Sequence, residues 1–218
     1  MRRVLLLTTL SALATACSSG SGEPPLPSNP EDAASVVAAA RDCNVADFSD
    51  GPRVTTLQGE VDIDEAATAS QRNSAASEAY LTQMASQPCV YALPSGLMIR
   101  VIEAQGDDMP SPDSGEMVRA HYDGRFPTGD TFDSSYDRGE PLEYPSNRFI
   151  AGWNEALGYM RVGETWELFI PANLAYGPGG TPGGPIGPSQ ALMFEMELLC
   201  LPARTEPSCE ALESERAD

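Results

Sequence analysis

The sequence predicts an α+β protein in which an antiparallel sheet wraps around one short helix, with a helical segment in front of it. Strand-like segments recur along the second half of the chain, at residues 97–102, 117–126, 140–144, 164–170 and 191–201. Between them, one short stretch at 152–160 has helical spacing, with Trp153, Leu157 and Met160 on a common face. Gly- and Pro-rich turns separate these segments, notably at 105–114, 127–130 and 176–187.

The first thirty residues have the layout of an export signal followed by a tether. Two arginines, an apolar run too short to span a bilayer and three small residues precede Cys17, which resembles a bacterial lipobox. We therefore expect a signal peptide at 1–16, lipid attachment at Cys17 and a flexible Ser-, Gly- and Pro-rich tether at 17–30. A plain signal peptide cut near Ala16, with Cys17 incidental, is the alternative.

This layout predicts a periplasm-facing lipoprotein of the bacterial cell envelope. Ser18 follows the cysteine, and in the Gram-negative lipoproteins that this leader resembles, such a residue permits sorting to the outer membrane. The lipid anchor would then be the only contact with the membrane.

The charge of the chain excludes nucleic acid as a partner. There are 32 acidic and 13 basic residues, giving a formal net charge of −19, and every basic residue is an arginine. No basic stripe occurs, and binding to phosphates requires clustered cations.

Export implies an oxidising compartment, in which four further cysteines are candidates for disulfides: Cys43, Cys89, Cys200 and Cys209. Three pairings are possible. We favour Cys43–Cys89 and Cys200–Cys209, since each bond closes a loop within one part of the chain. No metal site is expected, because the only histidine is His121 and no CxxC spacing occurs.

Residues 31–90 form a helical preface to the strand-rich part. Helices are expected at 31–41 and 64–87. The second has one apolar face, made of Ala76, Tyr80, Leu81 and Met84. This face could pack on the following domain or form a homodimer arm, and the sequence leaves both open.

The usual catalytic and cofactor motifs are absent. The sequence has no Walker loop, no dinucleotide fingerprint and no GxSxG elbow, and His121 lies in the middle of a predicted strand. We therefore expect no cofactor and no nucleophilic residue.

Five motifs in order resemble the signature of the FKBP-type peptidyl-prolyl cis-trans isomerases. They are HYDG with GDTFDSS at 121–135, IAGWNEAL at 150–157, MRVGE at 160–164, LAYG at 174–177 and ALMFEMELL at 191–199. The resemblance places the isomerase domain at 91–201, preceded by the helical segment and followed by an acidic tail at 202–218. The segment PSGL at 94–97 is similar to the segment where the isomerase domain begins in the macrophage infectivity potentiator-like group.

The resemblance implies a five-stranded half-barrel with an apolar pocket between sheet and helix. Its catalytic residues would be Tyr122, Phe132, Asp133, Ile150, Trp153, Tyr176 and Phe194. Its substrate-binding residues would be Leu142, Tyr144, Phe149 and Ile186. Trp153 would form the floor, Asp133 the polar group, and the backbone N–H of Ile150 would face the substrate carbonyl. The flap over the pocket departs from the family's usual pattern at 185–190.

The function implied by this resemblance is isomerisation of proline-containing polypeptides without a covalent intermediate. Two alternatives remain open. The same fold could be a non-catalytic chaperone or proline-segment binding module, or the 31–90 helices could carry a holdase role in envelope assembly. A protease-coupled assay with a proline peptide distinguishes the isomerase from the non-catalytic module. Aggregation assays on a variant that lacks residues 31–90 test the holdase role.

Overall fold

The computed structural model describes residues 33–43, 54–205 and 207–216. The predicted signal peptide, the lipid-attachment residue Cys17 and the tether lie outside the described residues. Within the described ranges, no helix is long and apolar enough to cross a membrane. No cluster of potential metal ligands occurs in the same ranges.

An open antiparallel sheet forms the centre of the protein, as the sequence predicts. Its strands are β1 (Tyr91–Ala92), β2 (Met98–Glu103), β3 (Met117–Arg125), β4 (Thr131–Ser134), β5 (Leu142–Pro145), β6 (Thr165–Ile170) and β7 (Leu192–Cys200). The spatial order is β1-β2-β6-β7-β3-β4, and β5 also pairs with β3. The fold class is confirmed, but the sheet has seven strand segments instead of five. The two-residue β1 and the four-residue β4 are too short to show any periodicity in the sequence.

One short helix, α4 (Ala151–Leu157), packs against the inner face of the sheet. Trp153, Ala156 and Leu157 are buried there, together with apolar residues of β6 and β7. Gly152 lets the helix approach the sheet, because a Cβ at this position would lie 2.8 Å from Cγ2 of Ile170. The close approach of α4 to β6 fixes the position of Trp153, the next residue in the chain.

The longest helix, α2 (Ala69–Ala85), covers the outer face of the sheet. Its Tyr80 and Met84 are fully buried against Phe169 of β6 and Met193 of β7. The predicted apolar face therefore packs on its own domain. Dimerisation through this segment stays a prediction. The helix begins five residues later than expected, because Thr68 caps it in a capping box with Gln71.

A buried ion pair lies under α2. Arg100 of β2 donates from Nε to Oε2 of Glu167 on β6 over 2.6 Å, and both side chains are at most 2% exposed. The pair satisfies two charges in an otherwise apolar layer, which requires such pairing.

The first helix, α1 (Ala33–Asp42), is attached to the domain by a second buried carboxylate. Glu164 is fully buried and accepts hydrogen bonds from Nε of Arg41 over 2.6 Å and from Nε1 of Trp166 over 2.9 Å. A disulfide joins Cys43, which directly follows α1, to Cys89.

The residues after β7 are more ordered than an acidic tail would be. A helix, α5 (Cys209–Arg216), follows a short loop, and the Cys200–Cys209 disulfide holds it to the end of β7. Both favoured pairings are therefore present. The sequence did not predict this helix, because its eight residues carry charge on every face and lack an apolar stripe.

Candidate active site

A cavity of about 350 Å³ opens between the inner face of the sheet and α4. Ten residues from six parts of the chain line it: Tyr122, Phe132, Asp133, Leu142, Arg148, Phe149, Ile150, Trp153, Tyr176 and Phe194. Eight of the ten are aromatic or aliphatic, so the cavity is suited to an apolar group.

The strands place the walls through their alternation. On β3, Val118, Ala120 and Tyr122 are buried on one face. Phe194 of β7 lies opposite Gly124 of β3, and Asp133 of β4 pairs with the same glycine from the other side. A Cβ at Gly124 would lie 2.7 Å from the Phe194 ring and 2.8 Å from the Phe132 ring. The glycine of the HYDG motif is therefore required for these two rings to approach each other.

Trp153 forms the floor of the cavity and lies among three other rings. Its centroid is 5.0 Å from Phe194, 5.1 Å from Tyr122 and 5.0 Å from Phe149. The contacts with Phe194 and Tyr122 are edge-on, a favoured geometry for aromatic pairs. The indole is 4% exposed, and its N–H has no hydrogen-bond partner within the described part of the chain.

The rim is built by the turn that leads into α4. Ile150 is the N-cap residue of this helix, and the Phe149 amide donates to Oδ1 of Asn154 over 3.0 Å. This bond fixes the turn, and with it the side chains of Phe149 and Ile150 at the cavity mouth. Tyr176, between two short 3₁₀ turns, forms the opposite rim and is 41% exposed.

Asp133 is held in a hydrogen-bonded triad with Tyr122 and Arg138. The Tyr122 hydroxyl donates to Oδ2 of Asp133 over 2.6 Å, and Arg138 donates to that hydroxyl over 2.7 Å. Arg138 also pairs with Oδ1 of Asp133, and its guanidinium lies over the Tyr122 ring. Burial, followed by the hydrogen bond to Asp133, raises the pKa of Tyr122, so its hydroxyl remains a donor at neutral pH.

Nine of the eleven residues proposed from the sequence line the cavity, and two do not. Tyr144 does not line the cavity; its side chain is 43% exposed, and its ring lies 5.4 Å from that of Phe149. Ile186 is buried in the core, because its loop folds back through hydrogen bonds between Ile186 and Thr181. A substrate contact by Ile186 stays a prediction.

Two arginines at the site were not predicted. Arg138 belongs to the four-residue helix α3 (Ser135–Arg138), which is too short to show a pattern in the sequence. Arg148 directly precedes the rim residues Phe149 and Ile150, and this adjacency was the available signal.

His121, by contrast, has a structural setting. Its Nδ1 is 2.8 Å from Oγ of Ser135, and its ring stacks on Tyr136. It does not line the cavity.

Comparison with known proteins gives the same assignment for this part of the chain. Residues 109–199 match the family model described as FKBP-type peptidyl-prolyl cis-trans isomerase. The outer membrane protein MIP of Legionella longbeachae is 40% identical over 129 residues, which cover 59% of this chain and 54% of that protein. An FK506-binding protein of Streptomyces anulatus is 41% identical over 97 residues, covering 43% of this chain and 78% of that protein.

A solved structure shares the fold. The crystal structure of a peptidyl-prolyl cis-trans isomerase from Pseudomonas syringae pv. tomato superimposes with a TM-score of 0.56 at 30% identity, covering 62% of this chain and 97% of that one. The chain spans about half the length of the first curated relatives that it matches.

Proposed function

The chain belongs to the FKBP-type peptidyl-prolyl cis-trans isomerase family, and from this premise we propose that it accelerates rotation about the peptide bonds that precede proline. One observation carries the proposal. The rings of Tyr122, Phe132, Trp153, Tyr176 and Phe194 converge on one largely apolar cavity.

The reaction is a torsion, and it makes and breaks no covalent bond. The barrier to rotation about a peptide bond is about 18–20 kcal/mol, because amide resonance must be lost. Isomerisation before proline therefore takes tens to hundreds of seconds without a catalyst. The twisted amide separates less charge than the planar one, so water stabilises the planar form more. A dry apolar cavity removes this difference and favours the twisted form.

Each wall has a role in this proposal. The aromatic rings hold the proline ring, and Trp153 limits how deeply it enters. The backbone N–H of Ile150, at the N-cap of α4, donates to the carbonyl of the rotating bond. Asp133 orients Tyr122 and the adjacent wall through the triad with Arg138. An acceleration of about 10⁴-fold requires roughly 5.5 kcal/mol of differential binding, which a shaped cavity with one or two hydrogen bonds can supply.

The clients would be proline-containing polypeptides of the cell envelope. The leader and Cys17 support attachment of the protein to a membrane by a lipid. A relative that carries the name outer membrane protein supports the same setting. Acyl chains contribute about 0.8 kcal/mol per buried methylene, so a lipoprotein with more than one chain stays firmly anchored. Mass spectrometry of the mature protein tests this attachment. We expect its first residue to be a lipid-modified Cys17.

An isomerase assay with a proline tetrapeptide tests the proposed activity. Trp153→Ala removes the floor of the cavity, and we expect kcat/KM to fall by at least ten-fold. Tyr80→Ala is the control, because it removes a buried ring of similar size on the other face of the sheet. It should lose stability but keep most of its activity at a temperature where circular dichroism shows both variants folded. Peptide binding by the wild type without any acceleration would establish the non-catalytic alternative.

A further inference from the structure

The cavity carries one charged side chain that no residue in the described ranges neutralises. Two charged residues line it, Asp133 and Arg148. Asp133 is paired with Arg138, whereas the exposed side chain of Arg148 makes no ion pair and no hydrogen bond in the described ranges. The site therefore has a net charge of +1 at its mouth, although the chain as a whole carries −19.

The other arginines whose side chains the structure describes all have partners. Seven form ion pairs with carboxylates: Arg41, Arg100, Arg119, Arg125, Arg138, Arg161 and Arg204. Arg72 donates to the backbone carbonyl of Ala67. Although the protein has 32 acidic residues, Arg148 is the one arginine, among those whose side chains the structure describes, that contacts neither a carboxylate nor a carbonyl through its side chain.

The backbone holds Arg148 firmly in place. Its amide donates to the carbonyl of Pro145 over 3.1 Å, and the next residue is fixed by the bond from Phe149 to Asn154. Ile150 lies two residues after Arg148 in the chain, and in the proposed function its backbone N–H donates to the substrate carbonyl. The side chain of Arg148 thus starts from a rigid turn at the mouth, where the residues flanking a bound proline would leave the cavity.

We propose that Arg148 is a specificity-determining residue that selects clients with an acidic side chain next to the proline. This inference rests on the proposed function and adds the substrate class. A guanidinium presents a planar fork of donors that matches a carboxylate in two parallel hydrogen bonds. A glutamate or aspartate beside the proline would fill this fork, while the proline ring occupies the aromatic cavity.

The expected size of the preference is modest, because the pair is exposed to solvent. Exposed ion pairs contribute little, and they correspond to a preference of about two- to five-fold in kcat/KM. The net negative charge of the chain repels acidic peptides at long range. At about 0.15 M salt this repulsion is screened beyond about 8 Å, whereas a contact pair keeps more of its attraction.

The test compares peptides that differ only in the residue next to the proline, which is glutamate, glutamine or leucine. One series varies the residue before the proline, and a second series varies the residue after it. The full chain is assayed in a protease-free format, so that the peptide charge does not affect a coupling enzyme. The readout is the ratio of kcat/KM for the glutamate peptide to that for the glutamine peptide, in which any general change of turnover cancels.

For the wild-type protein, we expect this ratio to be two- to five-fold above that of Arg148→Gln in at least one series. In Arg148→Glu the ratio should fall further, below one. Arg72→Gln, which removes the same charge far from the cavity, should leave the ratio at the wild-type value.

The inference is overturned if the glutamine and leucine peptides are isomerised but the ratio is the same in the wild type and Arg148→Gln in both series. It is also overturned if Arg72→Gln changes the ratio as much as Arg148→Gln does. The failure of the wild type to isomerise the glutamine and leucine peptides would instead contradict the proposed function.

Discussion

At the scale of single residues, a tyrosine is buried on each face of the sheet, and the two hydroxyls have different roles. Tyr122 lies on the inner face, where its hydroxyl donates to Asp133 at the cavity wall. Tyr80 lies on the outer face, where its hydroxyl donates to the carbonyl of Thr55 over 2.8 Å. Burial raises the pKa of both phenols, so each remains a hydrogen-bond donor under ordinary conditions.

Tyr80 should make the fold less stable at alkaline pH. Burial raises its pKa well above the usual value of 10.0, and the neighbouring Glu167 raises it further. In the unfolded chain the phenol ionises near its usual pKa of about 10. Above this pH the unfolded state has lost a proton that the folded state keeps, so the free energy of unfolding falls as pH rises. Below about pH 10 the contribution of Tyr80 to stability is fully present.

Urea unfolding between about pH 8 and pH 11 measures this effect for the wild type and Tyr80→Phe. At the lower end the variant should be less stable by about 1 kcal/mol, because the Thr55 carbonyl loses its donor. Above about pH 10 the wild type should lose up to about 1.4 kcal/mol more than the variant for each pH unit. Parallel curves for the two proteins would show that Tyr80 ionises equally in both states.

The sequence was most informative about residues at the site where the chain has a motif. Tyr122, Trp153 and Phe194 were predicted because their motifs resemble those of the FKBP family, and all three line the cavity. Arg148 was not predicted, and Ile186 does not line the cavity, since loop geometry determines where these side chains lie. Hydrogen bonds to Thr181 turn Ile186 towards the core, and the spacing of apolar residues in a sequence does not predict such a loop conformation.

At the scale of elements, α2 is hydrogen-bonded to the end of the loop that runs from Tyr176 to β7 and includes the flap residues 185–190. Asn73 donates to the carbonyl of Pro188 over 2.9 Å, and Ser77 donates to the carbonyl of Ser189 over 3.2 Å. The hydroxyl of Ser77 also accepts from the amide of Ala191 over 2.8 Å. A helix on the outer face of the sheet thus fixes the far end of a loop whose beginning forms one rim of the cavity.

Loss of these bonds should loosen the flap and reduce turnover. In a variant with Asn73→Ala and Ser77→Ala, we expect faster amide hydrogen exchange in residues 187–191, because the Ala191 amide loses its partner. We also expect kcat/KM to fall by about two- to five-fold, as one or two modest hydrogen bonds would predict. Ser74→Ala is the matched control, because Ser74 lies on the same helix without a hydrogen bond to the loop in the described residues. Unchanged exchange in the double variant would contradict this role for α2.

Elements with a clear period were predicted within a few residues. Helix α4 and strands β2, β3, β6 and β7 were expected close to where they lie, because each has an apolar face that matches its secondary structure. The elements missed were β1, β4, α3 and α5, which have two, four, four and eight residues. Such elements form because tertiary contacts or a disulfide hold them, and a local pattern cannot show this.

At the scale of the whole molecule, the N-terminal helices and the sheet form one unit. The Cys43–Cys89 bond closes 46 residues and joins α1 to the start of the sheet, and the Cys200–Cys209 bond closes only 9 residues. A longer closed loop restricts the unfolded chain more, so the first bond should stabilise the fold more than the second.

Replacement of each cysteine pair by serine tests this difference. In the chain-entropy account, loss of the 46-residue loop costs about 4 kcal/mol and loss of the 9-residue loop costs about 2.5 kcal/mol. Denaturant unfolding of Cys43→Ser with Cys89→Ser, beside Cys200→Ser with Cys209→Ser, measures both costs. Equal losses in the two variants would show that the length of the closed loop does not determine the stabilisation.

The position of β7 has a consequence for the order in which the domain can assemble. This strand lies between β6 and β3, yet it is the last strand to be synthesised. A nascent chain that stops short of residue 192 leaves one edge of β6 and one edge of β3 unpaired, and it also lacks Phe194 in the cavity. Such a chain exposes strand edges that favour aggregation. We therefore expect the domain to become protease-resistant only after β7 has been synthesised.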